Sequence, residues 1–566
     1  MRWPAALRKP LLVLLFYLAL SFLLFSGTWV APTERLIFGG VDVREITWFM
    51  GWTPYALGHA HTPLLTTHID YPAGVNLMWN TAMIFPALVL WPVTALFGPL
   101  AATNLAITLA LPLSGWVMYL LARRYVRSQL AAIVAGLLYG FSPWMISRSN
   151  GEIHMTTAIF PPLALLALDE ILVRQRRSRW LVGAGLGVAA AAELLTSEEI
   201  LALTVMLAAL GIAVVAIPHW RLIPARLPYA AQALGAAAVV FLVLAAYPLS
   251  VQFLGPLRVQ GVLPDPYWTD IWAWFVPTRW QAVQFASAIA HQFMSRNINE
   301  EGGAYIGVPL ILIGLWATVR FWRRDIVRVA SIVAVAASLL AMGDHLHIRG
   351  HATRVPLPFR VLEHLPILKN VSPPRFTIFM YLMVALLLAI FVDWALANHG
   401  PLRVAGIGAT VIALIALFPA VPYPTDTAVI PAFFRGGDVR RIPEGSVVLV
   451  APFSRAFTSD AMMWQSVSGM SFRMPEGYAY RPGPTRNPPV TALQTRLGAI
   501  YDGLDRPAVT PDLAQQMRGE LQAMGATTVV VGPEPREDEV VALFRLLLGR
   551  EPVETGGVFV WWNATP

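Results

Sequence analysis

Asp42 is the side chain in this sequence best placed to take a proton from a hydroxyl. It stands in Leu36-Ile-Phe-Gly-Gly-Val-Asp42-Val-Arg-Glu45, shortly after the first long apolar run, with Glu45 as the nearest second carboxylate. The two glycines ahead of it allow a sharp backbone turn. The residues that follow, 46–57, include Trp48, Trp52 and Tyr55. A short aromatic-rich helix of that kind suits the plane of a membrane interface. Asp42 would then lie at the lipid–water boundary, where a lipid phosphate and a water-soluble substrate can meet. A solvated acidic residue outside a span is the plainer alternative.

Four further sets could serve the same chemistry. His68-Ile-Asp70-Tyr-Pro lies in the same loop, although a turn at Tyr71-Pro-Ala-Gly74 accounts for it equally well. Arg148-Ser-Asn-Gly-Glu152-Ile-His154 sits between two spans, where Glu152 and His154 could hold a sugar hydroxyl or a phosphate. In Asn299-Glu300-Glu301-Gly-Gly-Ala-Tyr305-Ile-Gly307, paired carboxylates precede a span and could orient an acceptor or bind a cation. Oxygen ligands without cysteine would suit calcium or magnesium, but two residues do not define a site, so no cofactor is assigned. Arg354, Arg360, Lys369 and Arg375 share one loop. Arginine can grip a phosphate with two parallel hydrogen bonds, and Arg375 stands at the mouth of the next span. There is no Walker loop, HExxH motif or dinucleotide fingerprint.

The elements that must position these residues are membrane spans. With 56% hydrophobic and 13% charged residues over 566 positions, the chain cannot be a soluble globular protein. The net charge of +8 comes from short basic clusters between apolar runs, which report topology rather than nucleic-acid binding. No cysteine is present, so disulfides, thiolate metal sites and a cysteine nucleophile are excluded. Residues 1–10 form a basic start that reads as a retained cytoplasmic anchor flank. Placing Arg-rich clusters inside gives about eleven crossings of ~20 residues each. External loops then cover 31–80, 254–303 and 343–375, and the cytoplasmic loops are too short for a nucleotide-sugar-binding domain of ~100 residues. The topology of 81–122 is open; one net crossing, with 81–97 partly interfacial or re-entrant, fits the basic cluster at Arg123-Arg124 best.

Residues 424–566 lose the apolar runs. Strands at 446–451, 527–531 and 557–562, with helices at 511–524 and 536–549, predict a small α/β extracytoplasmic domain after a membrane domain of residues 1–423. The run Met462-Met-Trp464-Gln465 could touch sugar or lipid, although such runs more often form core. Glu193, with Glu198 and Glu199, could face an internal cavity, and Gly183, Gly185 and Gly187 permit close helix packing.

Span order from Leu11 to Val421, with an acidic residue soon after the first span, resembles the GT-C superfamily of polytopic membrane glycosyltransferases. Tyr71-Pro-Ala-Gly74, Tyr305-Ile-Gly307 and Pro373-Pro-Arg375-Phe376 are similar to elements of bacterial members that carry a C-terminal extracytoplasmic domain. The chain departs from the pattern in one respect: many GT-C enzymes have two adjacent acidic residues, whereas Val43 follows Asp42. The resemblance implies a multi-pass protein of the bacterial plasma membrane, N-terminus cytoplasmic. It implies transfer of a sugar from a polyprenyl-phosphate donor to a glycan or lipid acceptor of the cell envelope. Asp42 would be the base, and Arg375, with Arg354 or Arg360, would stabilise the departing polyprenyl phosphate across a shared extracytoplasmic chamber. Two other readings use the same composition: a transporter or flippase of lipid-linked saccharides, and a non-enzymatic membrane assembly factor.

Overall fold

The computed structural model describes residues 5–259, 267–294, 303–365, 368–455, 458–482, 491–504, 506 and 508–564. The chain divides into two compact units that interleave along the sequence. The first contains Met1–Gly27, Ile107–Ala246 and Pro264–Pro424; the second contains Thr28–Ala106, Tyr247–Leu263 and Thr425–Pro566.

The first unit is a helix bundle. Thr377–Ala397 is apolar on every face and buried along nearly its whole length, as a helix at the centre of a bundle must be. Around it pack Gln129–Gly140, Val308–Phe321, Asp325–Ala341 and Gly400–Ala416. Among the described residues of the chain, six helices are long and apolar enough to cross a membrane: Trp91–Ala122, Gln129–Arg148, Ile153–Arg174, Glu198–Ala216, Trp220–Phe253 and Pro373–Ala397. This is a multi-pass membrane protein. The count of about eleven crossings includes shorter runs such as Val308–Phe321, whose 14 residues extend only ~21 Å at 1.5 Å per residue. The apolar stretch from 81 is broken, with a short helix at Ile84–Val89 and a non-helical Gly98 (φ 83°) within Trp91–Ala122.

Two of the three glycines in Arg179–Leu194 meet a neighbouring helix. A β-carbon on Gly183 would strike the carbonyl of Ala233, and one on Gly187 the carbonyl of Ala237; Gly185 faces open space. Spaced by four, Gly183 and Gly187 form one small-residue stripe. Gly187→Val is therefore expected to lower the unfolding free energy by about 1–3 kcal/mol, whereas Gly185→Val leaves it unchanged. Unfolding of both variants in mixed micelles checks this.

The second unit holds a mixed four-stranded sheet. Val448–Ala451 runs parallel to Thr528–Val531, which pairs antiparallel with Val558–Trp562, and that strand closes a hairpin with Val553–Thr555. The helices Ala492–Tyr501, Pro511–Ala523 and Glu537–Leu548 cover it through Leu497, Met517, Leu521, Phe544 and Leu547. Pro511–Ala523 starts at a Thr510 side-chain cap with Pro511 in its first turn. The same unit contains the helix Val41–Gly58, and Arg35–Ile37 pairs with Thr425–Thr427.

Candidate functional site

Asp42 lies in the first turn of Val41–Gly58 and is half-buried. A carboxylate there sits at the positive end of the helix dipole. The turn that carries it is held by Arg44. One Nη of Arg44 donates to the carbonyl of Gly39 at 2.5 Å and reaches that of Gly40 at 3.3 Å. The guanidinium also meets Asp426 at 3.3 Å and Asp460 at 3.0 Å. Ser459 Oγ donates to the carbonyl of Val41 at 2.6 Å. Gly39 must be glycine for this, because a β-carbon would collide with the Asp426 carboxylate. Of the three consecutive carbonyls ahead of Asp42, those of Gly39 and Gly40 are held by Arg44, itself paired with Asp426 and Asp460, and that of Val41 by Ser459. Glu45, one turn later, is half-buried.

The rest of the helix departs from an interfacial one. Val43, Ile46 to Pro54 and Ala56 are all buried inside the unit. Its neighbour is Asp460–Val467: Trp48 Nε1 donates to Gln465 Oε1 at 2.5 Å, and Ser466 Oγ donates to the Thr47 carbonyl at 3.1 Å. The run Met462–Gln465 is core, since Trp464 and Gln465 are almost fully enclosed.

His68 and Asp70 lie under the same roof. The His68 carbonyl accepts from Met474 N and from Gln465 Nε2, and the amides of Asp70 and Tyr71 donate to the carbonyls of Glu476 and Met474. The His68 ring packs on Trp52 and Tyr55 at 5.0 and 5.2 Å between centroids. Burial, then the Arg473 guanidinium, pushes its imidazole down to about 4. Asp70 forms an ion pair with Arg481, yet burial outweighs that cation and raises its carboxyl to about 7. Glu476, fully buried, is held well above the ordinary carboxylate range by burial, opposed by the Val450 amide and reinforced by the Asp70 charge. His68 is therefore neutral near pH 7, and Asp70 belongs to a buried carboxyl–arginine cluster.

The two signs oppose. The folded state favours neutral His68, so this term weakens stability as pH falls from 6.5 towards 4; it favours protonated Asp70, so that term weakens stability as pH rises from 3.8 towards 7. Asp70→Asn is expected to leave a stability that rises with pH across 4–6.5 more steeply than in the parent, and His68→Gln one that falls across the same window. Unfolding midpoints at a series of pH values read both slopes.

In the first unit a second set of charges gathers at helix ends. Ser142 caps Pro143–Arg148, with Pro143 in its first turn, so the chain turns at Ser-Pro-Trp and ends at Arg148. Arg148, 1% exposed, pairs with Glu152 at 2.8 Å and lies 4.8 Å over the Trp144 ring. His154 lies within electrostatic reach of both Arg148 and Arg375. Arg375 lies in the 3-10 turn Pro373–Phe376 that leads into the central helix. It pairs with Glu199, whose other oxygen accepts from the Ser372 amide at 2.9 Å. Glu199 sits in the first turn of Glu198–Ala216, behind the Ser197 cap. Glu152, His154 and Arg375 are thus brought into one neighbourhood. This set can offer guanidinium donors to an anionic group, each already oriented by a carboxylate.

Other named residues lie elsewhere. Arg354, on the strand His351–Pro356, and Arg360, on the turn Phe359–Leu362, are both exposed. Tyr305 is buried, and its carbonyl accepts from the Tyr381 hydroxyl. Glu301 lies outside the described residues. Among the described residues no group of three or more His, Asp or Glu is gathered as a metal would need. Arg44, Asp460, Glu476 and Arg481 escaped notice in the sequence because each acts on a residue far away in the chain; the only local signal was a row of charges in an otherwise apolar protein.

The whole chain is similar in fold to solved membrane glycosyltransferases. The Archaeoglobus fulgidus oligosaccharyltransferase in its apo form matches with a TM-score of 0.52 at 15% identity, covering 95% of this chain and 71% of that one. A complex of the same enzyme with Zn and sulfate gives 0.51 at 14% identity, with coverages of 97% and 73%. The arabinofuranosyltransferase AftD from Mycobacteria gives 0.55 at 17% identity, covering 99% of this chain, which spans 40% of that larger protein. No curated protein sequence matches. These likenesses show that the chain shares the fold of these enzymes. A model described as Domain of unknown function (DUF6311) matches residues 14–418, well over half of the chain, and the protein belongs to that family.

Proposed function

We propose that this protein is a membrane glycosyltransferase that moves a sugar from a polyprenyl-phosphate donor to a glycan or lipid acceptor on the outer side of the bacterial plasma membrane. The observation that carries the reading is a carboxylate, Asp42, oriented on the first turn of a helix after the first span, in a chain with the fold of sugar-transferring membrane enzymes. The N-terminus is cytoplasmic, about eleven segments cross, and residues 424–566 are extracytoplasmic.

The reaction is a single displacement. The acceptor oxygen attacks the anomeric carbon and forms a new C–O bond, while the bond from that carbon to the phosphate oxygen breaks. The acceptor proton passes to the Asp42 carboxylate. The departing polyprenyl phosphate keeps the bonding electron pair, and Arg375, with His154 and Glu152 in its neighbourhood, stabilises its charge. Glu45, on the same helix as Asp42, is the second carboxylate on the acceptor side. No step is assigned to a calcium or magnesium ion.

The test uses the full chain in proteoliposomes, supplied in parallel with a polyprenyl-phosphate sugar and with a nucleotide sugar. Free polyprenyl phosphate should accumulate in the first reaction, and no sugar should be consumed in the second. Turnover of the nucleotide sugar alone would overturn the donor assignment.

A further inference from the structure

An apolar void in the first unit is lined by none of the residues assigned to the reaction. It has a volume of about 430 Å³, within the range of ~300–1,000 Å³ that takes a ligand. Leu165, Leu207, Gly211, Val329 and Met383 are among its walls. Four of the six span-competent helices contribute walls, Ile153–Arg174, Glu198–Ala216, Trp220–Phe253 and Pro373–Ala397, and Asp325–Ala341 supplies Val329. A groove walled by apolar side chains at that depth offers water no hydrogen-bond partners, and left empty its walls would lose their dispersion contacts. In a bilayer the molecule at hand is a lipid chain.

One end of the groove is polar, and it coincides with the ends of those helices. Asp169, His219, Arg226 and Asp325 line it. The carboxylates there are engaged: Asp169 by Arg174 at 2.5 Å and by the Tyr125 hydroxyl, Glu170 by Arg124 at 3.2 Å, and Asp325 by His219 at 2.9 Å and by Arg328. Arg226 differs. Its partners among the described residues are the carbonyls of Leu172, at 2.8 Å, and Val173. Carbonyls orient the guanidinium without neutralising it. Arg221, which precedes it in the chain and lies over the Trp220 ring, is exposed, as are the apolar side chains of Ile217, Trp220, Leu222 and Leu227. Exposed Trp and aliphatic groups next to arginines are the composition of a membrane–water boundary.

We infer that this groove is a binding site for an anionic phospholipid, one acyl chain lying between the helices and the phosphate held by Arg226 with Arg221. Basic pockets between membrane helices take acidic headgroups in this way.

The experiment is native mass spectrometry of the full chain with phosphatidylglycerol and phosphatidylcholine of identical chains. The parent should retain phosphatidylglycerol about tenfold more strongly, a difference of ~1.4 kcal/mol. Arg226→Gln should erase that preference, and Arg226→Lys should restore most of it. Gly211→Phe, which fills the groove, should abolish retention of both lipids, and Ala208→Phe gives the same readout should the first variant fail to fold. Equal retention of the two lipids by the parent would overturn the headgroup assignment. Unaltered retention in the filled variants would overturn the groove. Displacement of phosphatidylglycerol by stoichiometric polyprenyl phosphate would also overturn it, assigning the groove to a substrate instead.

Discussion

Asp42→Asn is expected to bind the polyprenyl-phosphate donor as the parent does and to transfer its sugar about 10^2- to 10^4-fold more slowly, the contribution of a positioned general base. The substitution keeps the size of the side chain and its place in the first helical turn. It removes the one property the chemistry needs, a carboxylate that accepts the acceptor's proton. The backbone around it should not move, because Arg44 and Ser459 hold the carbonyls of Gly39, Gly40 and Val41 independently of the Asp42 side chain. Glu45→Gln is the companion variant, and it is expected to cost less than tenfold if Asp42 alone is the base. Single-turnover transfer with a saturating donor separates the two. Slow transfer in Glu45→Gln with normal transfer in Asp42→Asn would reverse the assignment.

The second large effect is structural. Arg148→Met should lower the unfolding free energy by about 3–5 kcal/mol, the cost of breaking a buried ion pair from one side. The guanidinium is almost completely enclosed, paired with Glu152 and seated over Trp144. Methionine refills part of the volume, but Glu152 is then left largely buried without the cation paired to it. Converting both members, Arg148→Met with Glu152→Gln, should recover more than half of the loss, because no uncompensated charge remains. Equal losses in the single and double variants would mean that the cation–π contact and packing, rather than the ion pair, account for Arg148. Folded fraction in a mixed-micelle titration measures both.

Periodic apolar runs made the membrane helices legible, and the runs read as strands at 446–451, 527–531 and 557–562 contain the strands Val448–Ala451, Thr528–Val531 and Val558–Trp562. Burial that depends on a distant partner was not legible. The aromatic residues after Asp42 suit an interface by composition, yet Trp48 and Trp52 are enclosed because Asp460–Val467, some four hundred residues later, packs against them. The same holds at Asp70: the Tyr-Pro-Ala-Gly turn is local chemistry, but its pairing with Met474 and Glu476 is not. At the basic loop, a local pattern marked Arg354, Arg360 and Arg375 alike, and only the fold separates exposed Arg354 and Arg360 from Arg375, which is committed to Glu199. Gly183 and Gly187 repeat the lesson on a smaller scale, since spacing by four names a stripe while Gly185 between them meets nothing.

The most direct measurement follows a labelled sugar. Proteoliposomes holding the full chain receive a polyprenyl-phosphate sugar labelled in the sugar and a mixture of envelope glycan and lipid acceptors. The account predicts that the label leaves the polyprenyl phosphate and appears in a new glycosidic linkage on an acceptor, in the parent and not in Asp42→Asn. Label that stays on its lipid carrier but moves to the opposite leaflet, equally in both proteins, would contradict it and make the protein a transporter.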